Sequence, residues 1–300
     1  NSGKLQQPDL RRLSTVYFNS GQLYLQLGEA SQAADRAASS IRLLEERLGG
    51  PGEVVAQAHL LQAEALHHLG DPVTGLETAS KAIFVLSLRV RSGTGNFDRQ
   101  LADAHRLRAE LAQTQGDLNQ ALKDFGLAFH LYGADGEEPD RLQQAEVLRR
   151  RAALQISQNE TDAALEDLQA ATDLLSGEPE KAWEERLQLR RLRAHILNKQ
   201  ERYPLAISEL LVALDDLRSR KAESALRLEL LLELMSSQAH LQQWQDFTIL
   251  YAEFLKTREE APHVPISEAV EGLFAQIESE RNPRSDESTR LARADVLVAL

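Results

Sequence analysis

Apolar and small residues recur along the chain at the three- and four-residue spacing of helices, and the arrangement returns after about 42 residues. One well-formed copy contains Ala109, the turn residue Gly116, and then Ala121, Phe125 and Ala128. The apolar positions keep a helical spacing both before and after Gly116. Each copy therefore predicts two helices, A and B, joined by a tight turn, and a period of this length decides the fold.

Six copies can be aligned on the turn position, and we predict six helix pairs of which the sixth is the least regular. The turn residues are Gly28, Gly70, Gly116, Asn159, Glu201 and Gln243, with spacings of 42, 46, 43, 42 and 42. The marker residues around these turns are Gly21, Tyr24, Ala33, Ala37 and Ser40; Ala63, Leu66, Gly75, Ala79 and Ala82; Ala152, Ala164, Leu168 and Ala171; Ala194, Leu197, Ala206, Leu210 and Ala213; and Ser236, Ala239, Thr248, Ala252 and Leu255.

The residues at the turns also fit this interpretation. The three turn glycines can adopt the positive φ that ends a helix. Asp71 and Pro72 supply an N-cap followed by a proline at the first helical position. Asp117 and Thr161 are predicted to cap the next helices in the same way.

The repeat resembles the tetratricopeptide repeat. The family signature has a small residue and a large residue in helix A, Gly at the turn, and Ala in helix B, and here Gly21, Tyr24, Gly28 and Ala33 occupy those positions. The resemblance covers about residues 9–258. Because the unit is longer than the common 34 residues, it is similar to the long-repeat subclass of kinesin light chains and maltose-regulator-type bacterial signalling proteins.

This resemblance implies an all-α fold, a right-handed superhelical solenoid of about six helix pairs with C-terminal capping helices. We expect one continuous array over residues 1–258, without a linker that divides it. Residues 259–300 are expected to form the capping helices and tail, with an amphipathic helix over residues 267–280. Terminal repeats of a solenoid need such a cap.

Composition agrees with a helical protein and removes several function classes. Leu and Ala total 91 residues against 20 for Val and Ile, which disfavours a sizeable sheet. The net charge of −12 argues against nucleic acid or an anionic membrane as partner, and without cysteine no disulfide or thiolate site can form. No apolar run approaches the ~18 residues of a membrane span.

Composition gives less information about the organism and the cellular compartment than about the fold. Arginine outnumbers lysine by 27 to 7, as GC-rich bacterial genomes produce. The chain begins without Met. We expect a cytoplasmic location, or a periplasmic or extracellular one if a signal peptide has been removed.

No catalytic or metal-binding arrangement can be assigned from the residues. The eight histidines include no His-Glu-x-x-His pattern. His59 and His105 occupy equivalent positions in helix A and are interpreted as packed or half-buried residues. His67 and His68 lie near a helix end, where positive charge suits the helix dipole. We therefore predict a protein that is not an enzyme and needs no cofactor or metal.

A ladder of charge is the feature that points to a function. Three residues before the small position of helix A, a side chain of the tetratricopeptide family points into the concave groove. In this chain that position holds Phe18, Leu60, Arg106, Arg149, Arg191 and Glu233, and Arg150, His195 and Lys199 lie on or near the same face. Arginine pairs with carboxylates in a fork geometry that lysine lacks.

Two interpretations of this stripe are open. In the first, the arginines bind an acidic peptide or a C-terminal carboxylate, an arrangement that resembles the binding of acidic cargo motifs by kinesin light chains. Phe18, Tyr24, Leu25 and Leu60 would then form an apolar end of the groove. Alternatively, Asp103, Glu110 and Glu146 neutralise the arginines internally. The chaperone-type carboxylate clamp is not implied, because its positions hold Phe18, Gln22 and Gln62.

Three functions remain in consideration. The first is a non-enzymatic scaffold that binds a protein or peptide, of acidic character, in the concave groove. The second is a ligand- or peptide-sensing regulatory domain of a larger bacterial signalling protein. The third is an assembly factor of the cell envelope or of a secretion complex. The sequence sets neither the partner nor the oligomeric state.

Overall fold

A computed structural model describes residues 7–48, 52–93, 97–134, 140–177, 182–220, 224–261, 264 and 272 of the 300-residue chain. Within these ranges twelve α-helices account for all the regular secondary structure. The helices are α1 (Gln7–Gln26), α2 (Ala30–Leu48), α3 (Glu53–His68), α4 (Pro72–Ser92), α5 (Asp98–Gln115), α6 (Leu118–Ala134), α7 (Arg141–Ser157), α8 (Thr161–Leu174), α9 (Trp183–Lys199), α10 (Tyr203–Arg220), α11 (Ser224–His240) and α12 (Trp244–Glu260).

The twelve helices follow the predicted order along the chain, with odd numbers as helix A and even numbers as helix B. The chain divides into two compact units, Asn1–Glu160 and Thr161–Leu300. The first unit contains α1 to α7 and the second contains α8 to α12. The predicted array over residues 1–258 and cap over 259–300 stay predictions, and the helix expected at 267–280 lies outside the described residues apart from Gly272.

The turns between helices A and B have the left-handed backbone that the repeat predicts. At these six turns the residues with this backbone are Gly28 (φ 78°), Gly70 (72°), Gly116 (88°), Asn159 (63°), Glu201 (58°) and Gln242 (57°), and Gly93 (63°), which follows α4, shares it. Glycine adopts this conformation at little cost, whereas a side chain with Cβ is strained in it. The first three turns are therefore relaxed and the last three are not.

The register predicted for the sixth pair is wrong by one residue, because its turn is at Gln242 and not at Gln243. Counted from Gln242, the marker positions of helix B fall on Phe247, Tyr251 and Phe254, which are all buried. Ala252 and Leu255, which the shifted frame had assigned to the core, are exposed. The small residues of earlier repeats are here replaced by aromatic ones, which concealed the true spacing of 41.

The aromatic residues of α12 form part of the core of the second unit. The rings of Phe247 and Tyr251 stack with centroids 6.4 Å apart, and those of Tyr251 and Phe254 with centroids 6.3 Å apart. Trp244 is buried in the same core, together with leucines of α10 and α11. Trp183 lies under the guanidinium of Arg220, which is 5.2 Å from the centre of its ring.

Capping agrees with the sequence at two of three positions. The Asp71 side chain accepts a hydrogen bond from the backbone N–H of Thr74 at 3.1 Å, and Pro72 is the first residue of α4. Asp117 accepts one from the backbone N–H of Gln120 at 3.0 Å. Thr161 is itself the first residue of α8, so it lies inside the helix that it was predicted to cap.

Small residues in one pair provide room for large residues of the next. A Cβ atom on Gly75 of α4 would lie 2.7 Å from Cδ2 of Leu111 on α5. One on Gly21 of α1 would lie 2.9 Å from Cδ2 of Leu61 on α3. These contacts are closer than van der Waals packing allows, so a larger residue at either site would require the facing leucine side chain to shift. None of the described helices is long and apolar enough to cross a membrane.

Candidate partner-binding faces

The predicted ligand-binding side chains all lie on A helices, but they belong to the two different units. Phe18 on α1, Leu60 on α3, Arg106 on α5, and Arg149 and Arg150 on α7 are half-buried residues of the first unit. The second unit carries a half-buried Arg191 and an exposed His195 and Lys199, all on α9. Each face is described by itself.

Two arginines and two glutamates of the first unit form a connected group, here called the α5–α7 cluster: Arg106, Glu110, Glu146 and Arg150. Arg106 Nη1 donates to Glu110 Oε1 at 2.7 Å within α5. Arg150 reaches the same Glu110 oxygen through Nη1 at 3.1 Å, which joins α7 to α5. Arg150 also pairs through Nη2 with Glu146 Oε1 at 2.7 Å. The cluster is therefore electrically balanced.

Burial makes this group more than a set of surface ion pairs. Burial alone would lower the pKa of Arg106, but the charges of Glu110, Tyr132 and Glu146 outweigh it and raise that pKa. The buried Nε of Arg106 has no hydrogen-bond partner among the residues that the structure describes. Pairs that are shielded from water interact more strongly than exposed pairs, which contribute about 0–1 kcal/mol.

Asp103, which could have neutralised an arginine, has a different principal partner. It accepts a hydrogen bond of 2.5 Å from the hydroxyl of Tyr132 on α6. Tyr132 is fully buried, and burial, followed by the hydrogen bond and charge of Asp103, raises the pKa of its phenol. This bond fixes the carboxylate of Asp103 beside α6. Glu110 and Glu146 are thus the carboxylates that pair with Arg106 and Arg150.

The side chains expected to form an apolar end of the groove are only partly available. Leu60 packs against the buried clusters of α3, α4 and α5. The Tyr24 ring lies beneath the guanidinium of Arg36, 5.9 Å from its centre, and the Tyr17 ring lies 5.7 Å from the same group. Phe18 and Leu25 are half-buried on α1.

In the second unit Arg191 also has carboxylate partners. Its Nη2 lies 2.9 Å from Glu229 Oε2 and 3.0 Å from Glu233 Oε1, both on α11. One turn later on α9, partial desolvation and the positive charge of Lys199 lower the pKa of His195, while Glu233 opposes the shift. The exposed imidazole and ammonium lie beside a paired arginine.

A second charge pattern, which our sequence reasoning missed, joins helix A to helix B within a pair. The buried carboxylate of Asp124 on α6 accepts hydrogen bonds from His105 Nδ1 at 2.8 Å and from Arg108 Nη2 and Nε at 2.7 and 2.8 Å. Gln120 Nε2 donates to it at 2.8 Å. Burial opposes the charged form, but these hydrogen bonds outweigh it and lower the pKa of Asp124 to about 2.

The second unit repeats this arrangement. Glu209 of α10 pairs with Arg190 at 2.9 Å and with Arg193 at 3.6 Å, both on α9. The residues of the two groups correspond one to one, since each member lies 85 residues after its counterpart: His105 and Arg190, Arg108 and Arg193, Asp124 and Glu209. This exact correspondence was the signal in the sequence, and it marks a structural brace inside the pair.

Two histidines are buried residues of helix A. His59 and His105 are buried, as their helix A positions predicted. His59 Nε2 lies 3.3 Å from Glu45 Oε1, and burial, only partly offset by Glu45, lowers its pKa. His67 and His68 are at the end of α3. In the part of the chain that the structure describes, no group of three or more histidines and carboxylates could hold a metal ion.

Comparison with solved structures identifies the fold. A Podosopora anserina protein described as a kinesin light chain with nearly identical TPR-like repeats is 12% identical, with a TM-score of 0.60, over 73% of this chain and all of the other. RapI in its apo form is 13% identical, with a TM-score of 0.66, over 93% and 74%. A Rap protein complexed with Competence and Sporulation Factor is 15% identical, with a TM-score of 0.53, over 84% and 65%.

No protein-family model matches the sequence, and no curated protein matches it. At identities this low the structural likeness shows the fold alone. The helices and left-handed turns of this chain, and the long repeat that its sequence indicates, agree with that fold. The chain therefore has the all-α fold of tetratricopeptide-like repeat proteins.

Proposed function

We propose that the first unit is a scaffold that binds a peptide or helix of a partner protein on the A-helix face of α1, α3, α5 and α7. The observation that carries this proposal is the α5–α7 cluster. It places two partly exposed guanidiniums, Arg106 and Arg150, on neighbouring A helices around one shared carboxylate, Glu110. Such a group is held in place before a ligand arrives, which reduces the entropy lost on binding.

Acidic character in the ligand follows from the way this cluster can exchange partners. A guanidinium has five N–H donors, and Arg106 gives one of its Nη1 bonds to Glu110. A carboxylate of the ligand could accept from Arg106 or Arg150 while Glu110 keeps its bond to the other. Arg149 is the neighbour of Arg150 on the same half-buried face of α7. A ligand carboxylate adds one negative charge to the balanced cluster, so its new hydrogen bonds to the guanidiniums have to outweigh the desolvation cost of that charge.

The opposite end of this face suits apolar side chains. Phe18 on α1 and Leu60 on α3 are half-buried at the positions that Arg106 and Arg149 occupy in the later pairs. A ligand that runs across the A helices would therefore present apolar residues to α1 and α3 and carboxylates to α5 and α7. Charge would determine orientation and selectivity more than total affinity.

The second unit offers a separate candidate contact. Arg191, His195 and Lys199 place three basic groups on α9, and Glu229 and Glu233 already engage the arginine. Arg191, His195 and Lys199 form a distinct candidate face, and substitutions at these three residues would test it separately from the first unit. The proposal assigns a binding role and no catalytic step to either unit.

A ligand-sensing regulatory role is the second candidate. It is favoured by the likeness in fold to a Rap protein complexed with Competence and Sporulation Factor. A regulatory domain of this kind would use the same face of the first unit, with ligand binding linked to another part of a larger protein. The two candidates differ in whether binding changes the conformation of the chain, which hydrogen exchange with and without a bound peptide would measure.

The test uses an array of synthetic peptides in which acidic, basic and apolar positions are permuted. We expect the full chain to select peptides with carboxylates toward one end and apolar residues toward the other. Replacing both Arg106 and Arg150 by Gln should weaken binding of a selected peptide at least tenfold, because each lost charged contact is worth about 1.4 kcal/mol or more.

The control replaces Lys81 on α4 by Gln, which also removes one positive charge. Lys81 is exposed on a B helix and pairs with Glu77 at 2.8 Å, away from the A-helix face. Circular dichroism would establish that all variants are folded. If no peptide is selected, or if the double arginine variant binds selected peptides as well as the Lys81 variant does, the proposed site is wrong.

A further inference from the structure

The first helix exposes an apolar stripe that no other described residue covers. Val16 and Leu23 on α1 are each 60% exposed, and Leu27, at the turn that follows, is 72% exposed. These residues are separated by seven and four positions, so they lie along one side of the helix. Isolated exposed apolar residues need no explanation, but three that line up along one side of α1 and its following turn form a surface that favours a partner.

The positions equivalent to Val16 and Leu23 are buried in the later A helices. Val16 and Leu23 lie twelve and five residues before the turn at Gly28. At these two positions the later A helices of the first unit have Ala58, Ala65, Ala104, Leu111, Val147 and Leu154, and each is at most 2% exposed. The second unit has Leu189, Ile196, Leu230 and Ser237 there, each at most 1% exposed.

The buried counterparts show the kind of contact involved. Leu111 packs with Ala79 of α4, and Val147 and Leu154 pack with Phe125 and Ala128 of α6. Each therefore contacts helix B of the preceding pair. Val16 and Leu23 carry the same apolar chemistry, and no described helix covers them, so this face of α1 is available to a partner helix.

We propose that this face of α1 is covered by α1 of a second copy of the chain, packed antiparallel about a two-fold axis near Ser20. Leu13, Val16, Ser20, Leu23 and Leu27 follow the alternating three- and four-residue spacing of a helix–helix seam. The two-fold axis pairs Val16 of one copy with Leu23 of the other. The small Ser20 at the centre permits close approach.

Charge favours the antiparallel arrangement over the alternatives. Arg12 is exposed near the beginning of α1, on the side of the stripe, and Glu29 is exposed just beyond the end of the helix. In the antiparallel dimer Arg12 approaches Glu29 and the carbonyl end of the other α1, where positive charge is stabilising. A parallel dimer would bring Arg12 against Arg12. The stripe from Val16 to Leu27 is only about 16 Å long, so the dimer should depend on concentration.

The test measures the mass of the full chain by sedimentation equilibrium from low micromolar to several hundred micromolar concentration. We expect a monomer–dimer equilibrium that Val16→Glu or Leu23→Glu displaces to monomer, with at least a tenfold rise in the dissociation constant. The matched controls are Phe84→Glu on α4 and Ile249→Glu on α12, since these side chains are 65% and 68% exposed. Both controls should dimerise as the unaltered chain does.

Orientation is tested by a charge exchange and by a disulfide. Arg12→Glu and Glu29→Arg should each weaken the dimer, and the two together should restore it. The chain has no cysteine, so Ser20→Cys introduces a single thiol that should form a disulfide-linked dimer on oxidation. A chain that is monomeric at every concentration overturns the proposal and leaves the face to a helix of another protein. Dimerisation that Leu23→Glu leaves unchanged overturns it equally, and neither result bears on peptide binding at Arg106.

Discussion

Nη1 of Arg150 on α7 lies 3.1 Å from Oε1 of Glu110 on α5, so one ion pair joins the A helices of two consecutive repeats. Glu110 also accepts from Arg106 of its own helix. It therefore holds two guanidiniums at a separation set by the stacking of the pairs. The positions of the Arg106 and Arg150 guanidiniums are consequently more restricted than those of long side chains without such a shared partner.

Replacing Glu110 by Gln should both destabilise the first unit and strengthen its binding of acidic peptides. Arg106 and Arg150 would each lose a carboxylate partner while partly buried, which costs about 1 kcal/mol. The same two guanidiniums would become available to a ligand. Urea unfolding and peptide titration at low salt measure the two effects. Glu77→Gln is the control because Glu77 forms a comparable i,i+4 pair on an exposed face, and it should change neither quantity.

Asp124 should make the stability of the first unit depend on pH between about 4 and 2. Its pKa is about 2 when folded, below the ordinary value of about 3.9. The sign follows: the stabilisation is present above the ordinary value and is lost as the pH falls through 2. Asp124→Asn should lower the free energy of unfolding at neutral pH by about 2 kcal/mol.

Urea midpoints collected from pH 7 to pH 2 test this expectation. The difference between the unaltered chain and Asp124→Asn should shrink steadily as the pH falls. Asp35→Asn, at an exposed position on α2 of the same unit, is the control for removing one carboxylate. A difference that is constant with pH would contradict the assigned role of the Asp124 charge.

Glu201→Gly should raise the stability of the second unit by about 0.5–1 kcal/mol, because it relieves a left-handed backbone held by a residue with Cβ. Glu201 has φ of 58°. Gln200, one position earlier, has φ of −87°, so Gln200→Gly should be destabilising instead. Thermal unfolding of the two variants compares them directly. Asn159→Gly should gain less, since asparagine tolerates this conformation better.

The one-residue register of the last pair is tested by two truncations. Phe247→Ala should cost about 3–5 kcal/mol, as for a fully buried aromatic side chain. Leu255→Ala should cost less than about 1 kcal/mol, because Leu255 is 40% exposed. Had the turn been at Gln243, the order of the two costs would be reversed, so chemical unfolding of both variants decides between the registers.

The sequence predicted the helix pairs because turn chemistry and small residues repeat at fixed distances. Gly28, Gly70 and Gly116 could be identified from residue type alone, since their backbone requires what glycine supplies. Gln242 could not be identified, because glutamine gives no such signal and the neighbouring aromatic residues replaced the expected alanines. The repeat located a turn correctly only in those copies where the residue types at the turn and around it were also repeated.

The candidate faces were predicted less completely. A repeat offset placed Arg106, Arg149 and Arg191 at one equivalent position, but side-chain pairing depends on rotamers and on neighbours from other helices. Glu110 was recognised as a candidate partner, whereas the commitment of Asp103 to Tyr132 depends on how α6 packs against α5. The brace at Asp124 was visible in the 85-residue correspondence with Glu209, although only burial shows which polar pairs are internal.

Both tryptophans lie in the second unit, which determines what intrinsic fluorescence can report. Trp183 and Trp244 are the only ones in the sequence, and both belong to the second unit. Intrinsic fluorescence excited at the red edge of the indole band therefore reports on that unit alone, whereas far-ultraviolet circular dichroism reports on helices of both. A denaturation followed by the two signals at once distinguishes concerted from sequential melting without any added label.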